Sequence, residues 1–468
     1  DIGRKDESED MKKESHHIDL LNGHIFPSLT GLALPIMATS LVQTAYNLTD
    51  MAWIGRVGSH AVTAVGAAGM YTWFSSGIVM LAKMGGQVKV AHSLGKQQRE
   101  EARVYGRGAL QLTVLLALAF ALIVNLCADP LIGFFRLESA GTAQAAKVYL
   151  RITCGLILFP FLNQTLTGLF TAVGDSKTPF LANCIGLAMN MILDPILIFG
   201  IGPFPRMEAA GAALATVSAQ MAVTLVLTIR ASRELVLLHK IGLWKKVPWE
   251  FFRTILAVGT PSAFQTMLYS GISMVLTRMI ASWGDAAVAV QRVGGQVECI
   301  SWMTAEGFGS AMNAFTGQNY GAKQYDRVKK SYGIAVLFIG IWGIITSCIL
   351  VFGAEPIFRL FIQEEEILPI GIHYLVILGL GQMPMCQELV TGGALQGMGK
   401  TLSCSLITII LTAARIPLAL VLGRTGLGLD GIWWALTLTS VMKGIVFVIY
   451  YVWILRRLPR EPQAAAHA

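Results

Sequence analysis

Two aspartates interrupt stretches of this 468-residue chain that are otherwise almost wholly apolar, and any chemistry has to be built around them. Asp50 closes a polar series, Thr39, Gln43, Asn47 and Asp50, whose steps of four, four and three residues share one face of a helix. Asn190 and Asp194 are also four apart, and Pro195 follows directly. Proline has no N–H, so the carbonyl of Met191, one turn back, loses its helical partner. Carboxylates, carboxamides and a loose carbonyl are hard oxygen donors, the set that a sodium ion or a shared proton takes. A carboxylate at mid-membrane costs roughly 2.5–3.5 kcal/mol on insertion scales, so retaining one there points to ion handling. The plain alternative is a buried hydrogen bond or salt bridge that only fixes helix packing. A lipid-facing polar series would be heavily penalised, so Thr39, Gln43, Asn47 and Asp50 are expected to face a bundle interior.

Other ionisable groups are harder to place. Glu298 and Glu306 stand about 80° apart around a helix at 100° per residue, so both could line one cleft. Pairing with Arg278, Arg292 or Arg415 is the plainer reading, as it is for Lys83 and Glu388. The seven cysteines have no zinc-like spacing and read as small buried apolar residues. Met37, Trp73, Phe159, Trp302, Met303, Met383 and Met385 offer the adaptable sulphur and aromatic surface that broad recognition of flat cations uses. In a membrane such residues more often just pack.

The elements that must position these residues follow from composition. Apolar residues make up 54% of the chain and charged ones 14%, against about 25% charged in a soluble protein. Charge gathers in short clusters between apolar stretches of about 20 residues, the length of a membrane-crossing helix. With no water at that depth to satisfy the backbone, such stretches must be helical. Spans are expected near 25–53, 62–86, 108–128, 143–172, 180–200, 208–230, 254–281, 287–315, 333–352, 368–396, 402–423 and 431–455. Lys and Arg crowd alternate loops, leaving only Arg56, Arg136, Arg206, Arg359 and Arg424 for the others. By the positive-inside rule both termini are cytoplasmic. The basic balance is then topological and excludes a nucleic-acid partner. The polar start, with Lys12, Lys13, His16 and His17, reads as a disordered cytosolic tail.

The chain repeats itself. Pro35, Gly58, Gly69 and Gly95 match Pro261, Gly284, Gly295 and Gly321 at an offset of 226. Later landmarks fall at smaller offsets, Gly174 with Gly397 and Asp194 with Ile416. An offset near half the chain predicts two parallel six-helix repeats. The expected architecture is an all-α polytopic membrane protein, with twelve transmembrane helices in two pseudo-symmetric bundles around a central cleft. Its parts are a tail over 1–24, lobes over 25–230 and 254–456, a cytoplasmic linker over 231–253 and a tail over 457–468. The second repeat has Leu276 where Asp50 would stand and no acid for Asp194, an asymmetry that favours function over architecture.

The segments Tyr46-Asn-Leu-Thr-Asp50-Met-Ala-Trp-Ile-Gly55, Gly174-Asp-Ser-Lys-Thr-Pro179, Asn190-Met-Ile-Leu-Asp194-Pro195, Gly211-Ala-Ala-Leu-Ala-Thr216 and Gly317-Gln-Asn-Tyr-Gly321 resemble the multidrug and toxic compound extrusion (MATE) transporters, most closely their DinF-like branch. The resemblance covers residues 25–455. It implies an inner-membrane antiporter that expels amphipathic, often cationic compounds against entry of H⁺ or Na⁺. It also implies a cation site of Asp50, Asn190, Asp194 and Thr216, with Asn163 and Asn47 as additions, and a bending role for Pro35. Gln265 stands where other branches carry an acid. The expected substrate cleft is Gln43, Gln265, Glu298, Trp302, Met303 and Met383. No cofactor, no enzymatic step and a monomer are expected. A flippase for lipid-linked oligosaccharide or peptidoglycan precursors, of related shape, is the second reading, disfavoured by the acidic N-terminal lobe. No His cluster or Ser/His dyad supports a membrane enzyme. The Gly397-Met-Gly-Lys-Thr401 run lacks the spacing of a phosphate loop.

Overall fold

A computed structural model describes residues 18–135, 139–233, 242–243, 245–359 and 365–459. The expected tail up to residue 17, linker positions 234–241 and 244, and residues 460–468 lie outside the described residues. Every regular element among the described residues is helical. The first repeat holds α1 (Ile25–Gly55), α2 (Ser59–Gly95), α3 (Arg99–Leu126), α4 (Ala128–Gly133), α5 (Ala140–Gly155), α6 (Leu158–Ala172), α7 (Lys177–Phe199) and α8 (Ala209–Arg233). The second holds α9 (Trp249–Ala281), α10 (Asp285–Gly321), α11 (Tyr325–Phe352), α12 (Ala354–Arg359), α13 (Leu368–Gly379), α14 (Gln382–Gly397), α15 (Thr401–Ala413), α16 (Arg415–Gly423) and α17 (Leu429–Arg457).

Ten of the twelve expected spans are apolar and long enough to cross a membrane, counting the pairs α5–α6 and α13–α14 as bent spans of 42° and 46°. The other two, α9 and α10, run 33 and 37 residues and are long enough. Their Gly, Ser, Thr, Asn and Gln content dilutes the apolar signal that length would otherwise complete. A helix that gathers polar residues on one side inside a bundle does not need to be apolar all round. Several helices outrun their expected spans: α3 begins at Arg99, nine residues before the expected start at 108, because a charged first turn is helical too.

The repeat is geometric. Helices α2 and α10 have 37 residues each, and α3 and α11 have 28 each, at a constant offset of 226. Gly58 and Gly284 precede α2 and α10 with φ of 139° and 106°, backbone that only glycine adopts freely. Farther along, the structure corrects the register. The turn after α6 places Gly174 at φ 89°, and its counterpart after α14 is Gly399 at φ 78°, not Gly397. Gly397 is needed elsewhere: a Cβ there would stand 2.4 Å from the Asn313 carbonyl oxygen. Gly211 and Gly431 are likewise pinned, their hypothetical Cβ atoms 2.4 Å from the carbonyl oxygens of Leu197 and Leu422. Leu197 and Leu422 therefore correspond, which pairs Asp194 with Ala419 and not with Ile416. The misleading landmarks were Pro195 and Pro417, which lie at different depths in their helices.

Among the described residues the molecule forms two compact units, one of residues 18–19 and 38–263 and one of residues 20–37 with 264 onward. The expected lobe limits differ from these at one point in each repeat. The first thirteen residues of α1 belong to the second unit, and α9 up to Ala263 belongs to the first. Both crossings fall two residues beyond the helix prolines Pro35 and Pro261, at the repeat offset of 226.

Within the first unit, a core around Ile54, Val124, Ala146, Tyr149, Ile198 and Ala212 joins α1, α2, α3, α5, α7 and α8. The second unit has a core around Leu276, Phe358, Tyr374, Leu375 and Trp433. Helices approach closely through glycine, as membrane helices do when lipid offers no hydrophobic drive between them. A Cβ on Gly259 would fall 2.0 Å from the Leu81 carbonyl oxygen, and one on Gly393 2.0 Å from that of Gly309.

Candidate cation site

The site assembles in the first unit from four helices. Pro195 lies inside α7 without ending it, and the same helix buries Asn190 and Asp194 completely, both at 0% exposure. Their four-residue spacing closes a hydrogen bond in which Asn190 Nδ2 donates to Asp194 Oδ1 at 3.1 Å. Helix α1 brings Tyr46, 8% exposed, and Asp50, half-buried. Helix α5 brings Tyr149, which lies within electrostatic reach of both aspartates and of Tyr46. Helix α8 brings Thr216 and Gln220, towards which the Tyr46 hydroxyl points without closing a hydrogen bond.

The residue types and the unused atoms together define the chemistry. Asp50 Oδ1, Asp194 Oδ2, Asn190 Oδ1, Thr216 Oγ1 and the Tyr46 hydroxyl are all buried and all lack a hydrogen-bond partner. A single buried polar atom left unpartnered costs about 1–3 kcal/mol, and these five belong to residues linked by the Asn190–Asp194 hydrogen bond or within electrostatic or hydrogen-bonding reach of Tyr46. All five can act as acceptors. Asp50 and Asp194 also repel one another through the interior, and no Lys or Arg among the described residues pairs with either. Such a cluster is completed by a small cation or by protons.

The expected residues are not all brought together. Asp50, Asn190, Asp194 and Thr216 converge. Asn163 lies one layer behind, with its amide already committed. Its Nδ2 donates to the Gln220 backbone oxygen at 2.9 Å and to Gln220 Oε1 at 2.8 Å, while Oδ1 accepts from Thr224 Oγ1 at 2.7 Å. Gln43 and Asn47 are exposed while Thr39 and Asp50 are half-buried, so the expected series is not enclosed within the first unit. The line on α1 that turns inward runs through buried Tyr46, half-buried Asp50 and buried Ile54. Asn47 is turned about 60° from Asp50 at 100° per residue, and Gln43 sits two turns earlier, where nothing covers it. Tyr46 and Tyr149 escaped sequence reading because an aromatic in an apolar span reads as packing. The signal that would have found Tyr46 is its i, i+4 relation to Asp50.

The other candidates lie in the second unit. Glu298 accepts a hydrogen bond from Gln382 Nε2 at 3.0 Å and lies within electrostatic reach of Arg415. Gln265 buries its Oε1 without a partner. Trp302 and Met303 are half-buried, and Met383 packs its backbone against Gly343. Glu388 is paired with Lys443 at 2.8 Å.

Comparison with known proteins identifies the family and the fold. The chain is 28% identical over 437 residues to a probable multidrug resistance protein NorM of Thermotoga maritima, covering 91% of each. It is 25% identical to an FAD transporter of Shewanella oneidensis, covering 92% of this chain and 95% of that one. Its fold matches a crystal structure of MATE in the bent conformation with a TM-score of 0.87 at 22% identity, over 94% of this chain and 98% of the other. An outward-facing multidrug resistance MATE family transporter matches at 0.87 and 21% identity, over 95% and 99%. The MatE family model matches twice, over residues 35–196 and 261–421, once per repeat. This multi-pass helical membrane protein therefore belongs to the MatE family, whose members are transporters and not enzymes.

Proposed function

We propose that the protein is a secondary active exporter of amphipathic, often cationic compounds, driven by H⁺ or Na⁺ entering through the cluster around Asp50 and Asp194. The observation that carries this is the set of five unpartnered oxygens on Tyr46, Asp50, Asn190, Asp194 and Thr216. Oxygens held in place with no internal partner are pre-organised for a cation and costly without one. Gln265, neutral where other branches carry an acid, supports a coupling site in the first unit and the DinF-like branch. The basic loops support both termini on the cytoplasmic face of the cell membrane. The protein works as a monomer. Binding or release of the coupling ion changes the charge beside α1, and Pro35, two residues before α1 passes from one unit to the other, is the hinge.

The test is uptake of rhodamine 123 into inside-out proteoliposomes, driven separately by a proton gradient and by a sodium gradient. One of the two gradients drives transport in the parent protein. Asp50→Asn and Asp194→Asn each reduce that driven component by about tenfold or more, the loss expected when a charged ligand worth at least ~1.4 kcal/mol disappears. Full gradient-driven transport in both variants overturns the assignment.

A further inference from the structure

The corrected register of the repeats puts an arginine where the first unit holds a cation ligand. At the offset of 225 fixed by Leu197 and Leu422, Asn190 corresponds to Arg415, Asp194 to Ala419 and Tyr149 to Tyr374. The second unit has thus kept the position, put a positive charge where the first has a neutral carboxamide, and lost the acid one turn on. Arg415 is 7% exposed. Its Nε donates to Thr439 Oγ1 and its Nη2 to Ser440 Oγ, both at 2.9 Å. The guanidinium lies 6.0 Å from the centre of the Tyr269 ring, which is 45% exposed.

What Arg415 lacks is a carboxylate. Among the described residues none comes within 4.0 Å of it, because Glu388 is taken by Lys443 and Glu298 accepts from Gln382 and meets Arg415 only through space. Its third nitrogen, Nη1, donates to no described residue. A charged group inside a spanning helix is costly, and two neutral hydroxyls offset only part of that cost. A guanidinium held in a fixed orientation with an unused donor is suited to a planar carboxylate.

We propose that Arg415 binds the carboxylate of an aromatic substrate, with the Tyr269 ring as its stacking face and Glu298 as the internal counter-charge that the carboxylate displaces. The inference rests on the reading of the protein as a small-molecule exporter and assigns the position that would hold a carboxylate on its cargo. Carboxylate-bearing compounds would engage the second unit, and the coupling ion the first.

The test is equilibrium binding by fluorescence anisotropy to the full chain in nanodiscs, with no gradient present. Two dyes are compared: rhodamine 110, which carries a free carboxylate, and rhodamine 123, its methyl ester. Arg415→Gln is expected to weaken rhodamine 110 by about tenfold more than rhodamine 123, the size of one charge-assisted hydrogen bond. Glu298→Gln is expected to tighten rhodamine 110 severalfold, a gain that misfolding cannot imitate. Equal effects on the two dyes in both variants, or no binding of rhodamine 110 to the parent protein, overturn the proposal. Loss of gradient-driven rhodamine 123 transport would instead bear on the exporter reading, because these binding measurements need no gradient.

Discussion

At the scale of single residues, the first unit separates groups that hold structure from groups that wait for a ligand, and the unused atoms draw the line. The Tyr46 hydroxyl has no partner, so Tyr46→Phe removes no hydrogen bond from the folded protein. Thermal stability in detergent should hold or rise, by up to about 1–3 kcal/mol, because an unpartnered buried hydroxyl is removed, while ion-driven transport falls severalfold through loss of one ligand oxygen. Asn163 presents the reverse case, since its three hydrogen bonds all go to Gln220 and Thr224. Asn163→Ala strands those groups and should lower stability by about 1–3 kcal/mol, read as a drop in melting temperature. If Tyr46→Phe melts early and Asn163→Ala does not, the division between ligand and scaffold is reversed. The aspartates and Asn190 were legible in the sequence because a charge or carboxamide in an apolar span is conspicuous. Tyr46 and Tyr149 were not, because an aromatic ring there is ordinary and only the fold reveals where its hydroxyl ends.

At the scale of helices, the approximate extent of the spans was legible from apolar length and basic loops, ten of them long and apolar enough to cross a membrane, whereas register was not. Two prolines in corresponding helices, Pro195 and Pro417, invited an alignment that contact geometry overturns, because proline tolerates several depths near a kink. The helix contacts that fix register are glycine contacts. In the second unit α10 and α14 meet where Gly393 faces the Gly309 backbone, and a Cβ on Gly393 would sit 2.0 Å from that carbonyl oxygen. Gly393→Ala must push the helices apart and should cost about 1–3 kcal/mol, the usual penalty of overpacking. Gly271 in α9 has nothing within 4 Å of its hypothetical Cβ. Gly271→Ala should therefore gain about 0.5–1 kcal/mol from the lower backbone entropy of the unfolded chain. Thermal unfolding of the two variants side by side checks both signs, and a stabilised Gly393→Ala would refute the packing.

At the scale of the whole molecule, the repeat is not two self-sufficient halves of the chain. Each compact unit takes the opening stretch of the other repeat's leading helix: residues 20–37 complete the second unit and residues up to Ala263 complete the first. The entry segments are held by side chains of the receiving unit. Arg327 Nη2 donates to the carbonyl oxygens of Leu20 and Gly23 at 3.1 and 2.8 Å, and Asn319 Nδ2 donates to Leu20 at 3.0 Å. In the first unit Gln111 Nε2 donates to the Lys245 carbonyl oxygen at 2.9 Å. Glycine contacts such as Gly259 on Leu81 and Gly307 on Met37 continue the same packing along α9 and α1. A chain cut within 234–241 would give two fragments, each missing the helix stretch that closes its own unit. Neither fragment alone should elute as a single species from size exclusion, because the groove left by the missing stretch exposes backbone-lined glycine surfaces. Co-expression of the two should restore a single species that co-purifies through a tag on either one. A fragment that is monodisperse on its own, with a melting transition like that of the intact chain, would show the exchange of helix stretches to be dispensable for folding.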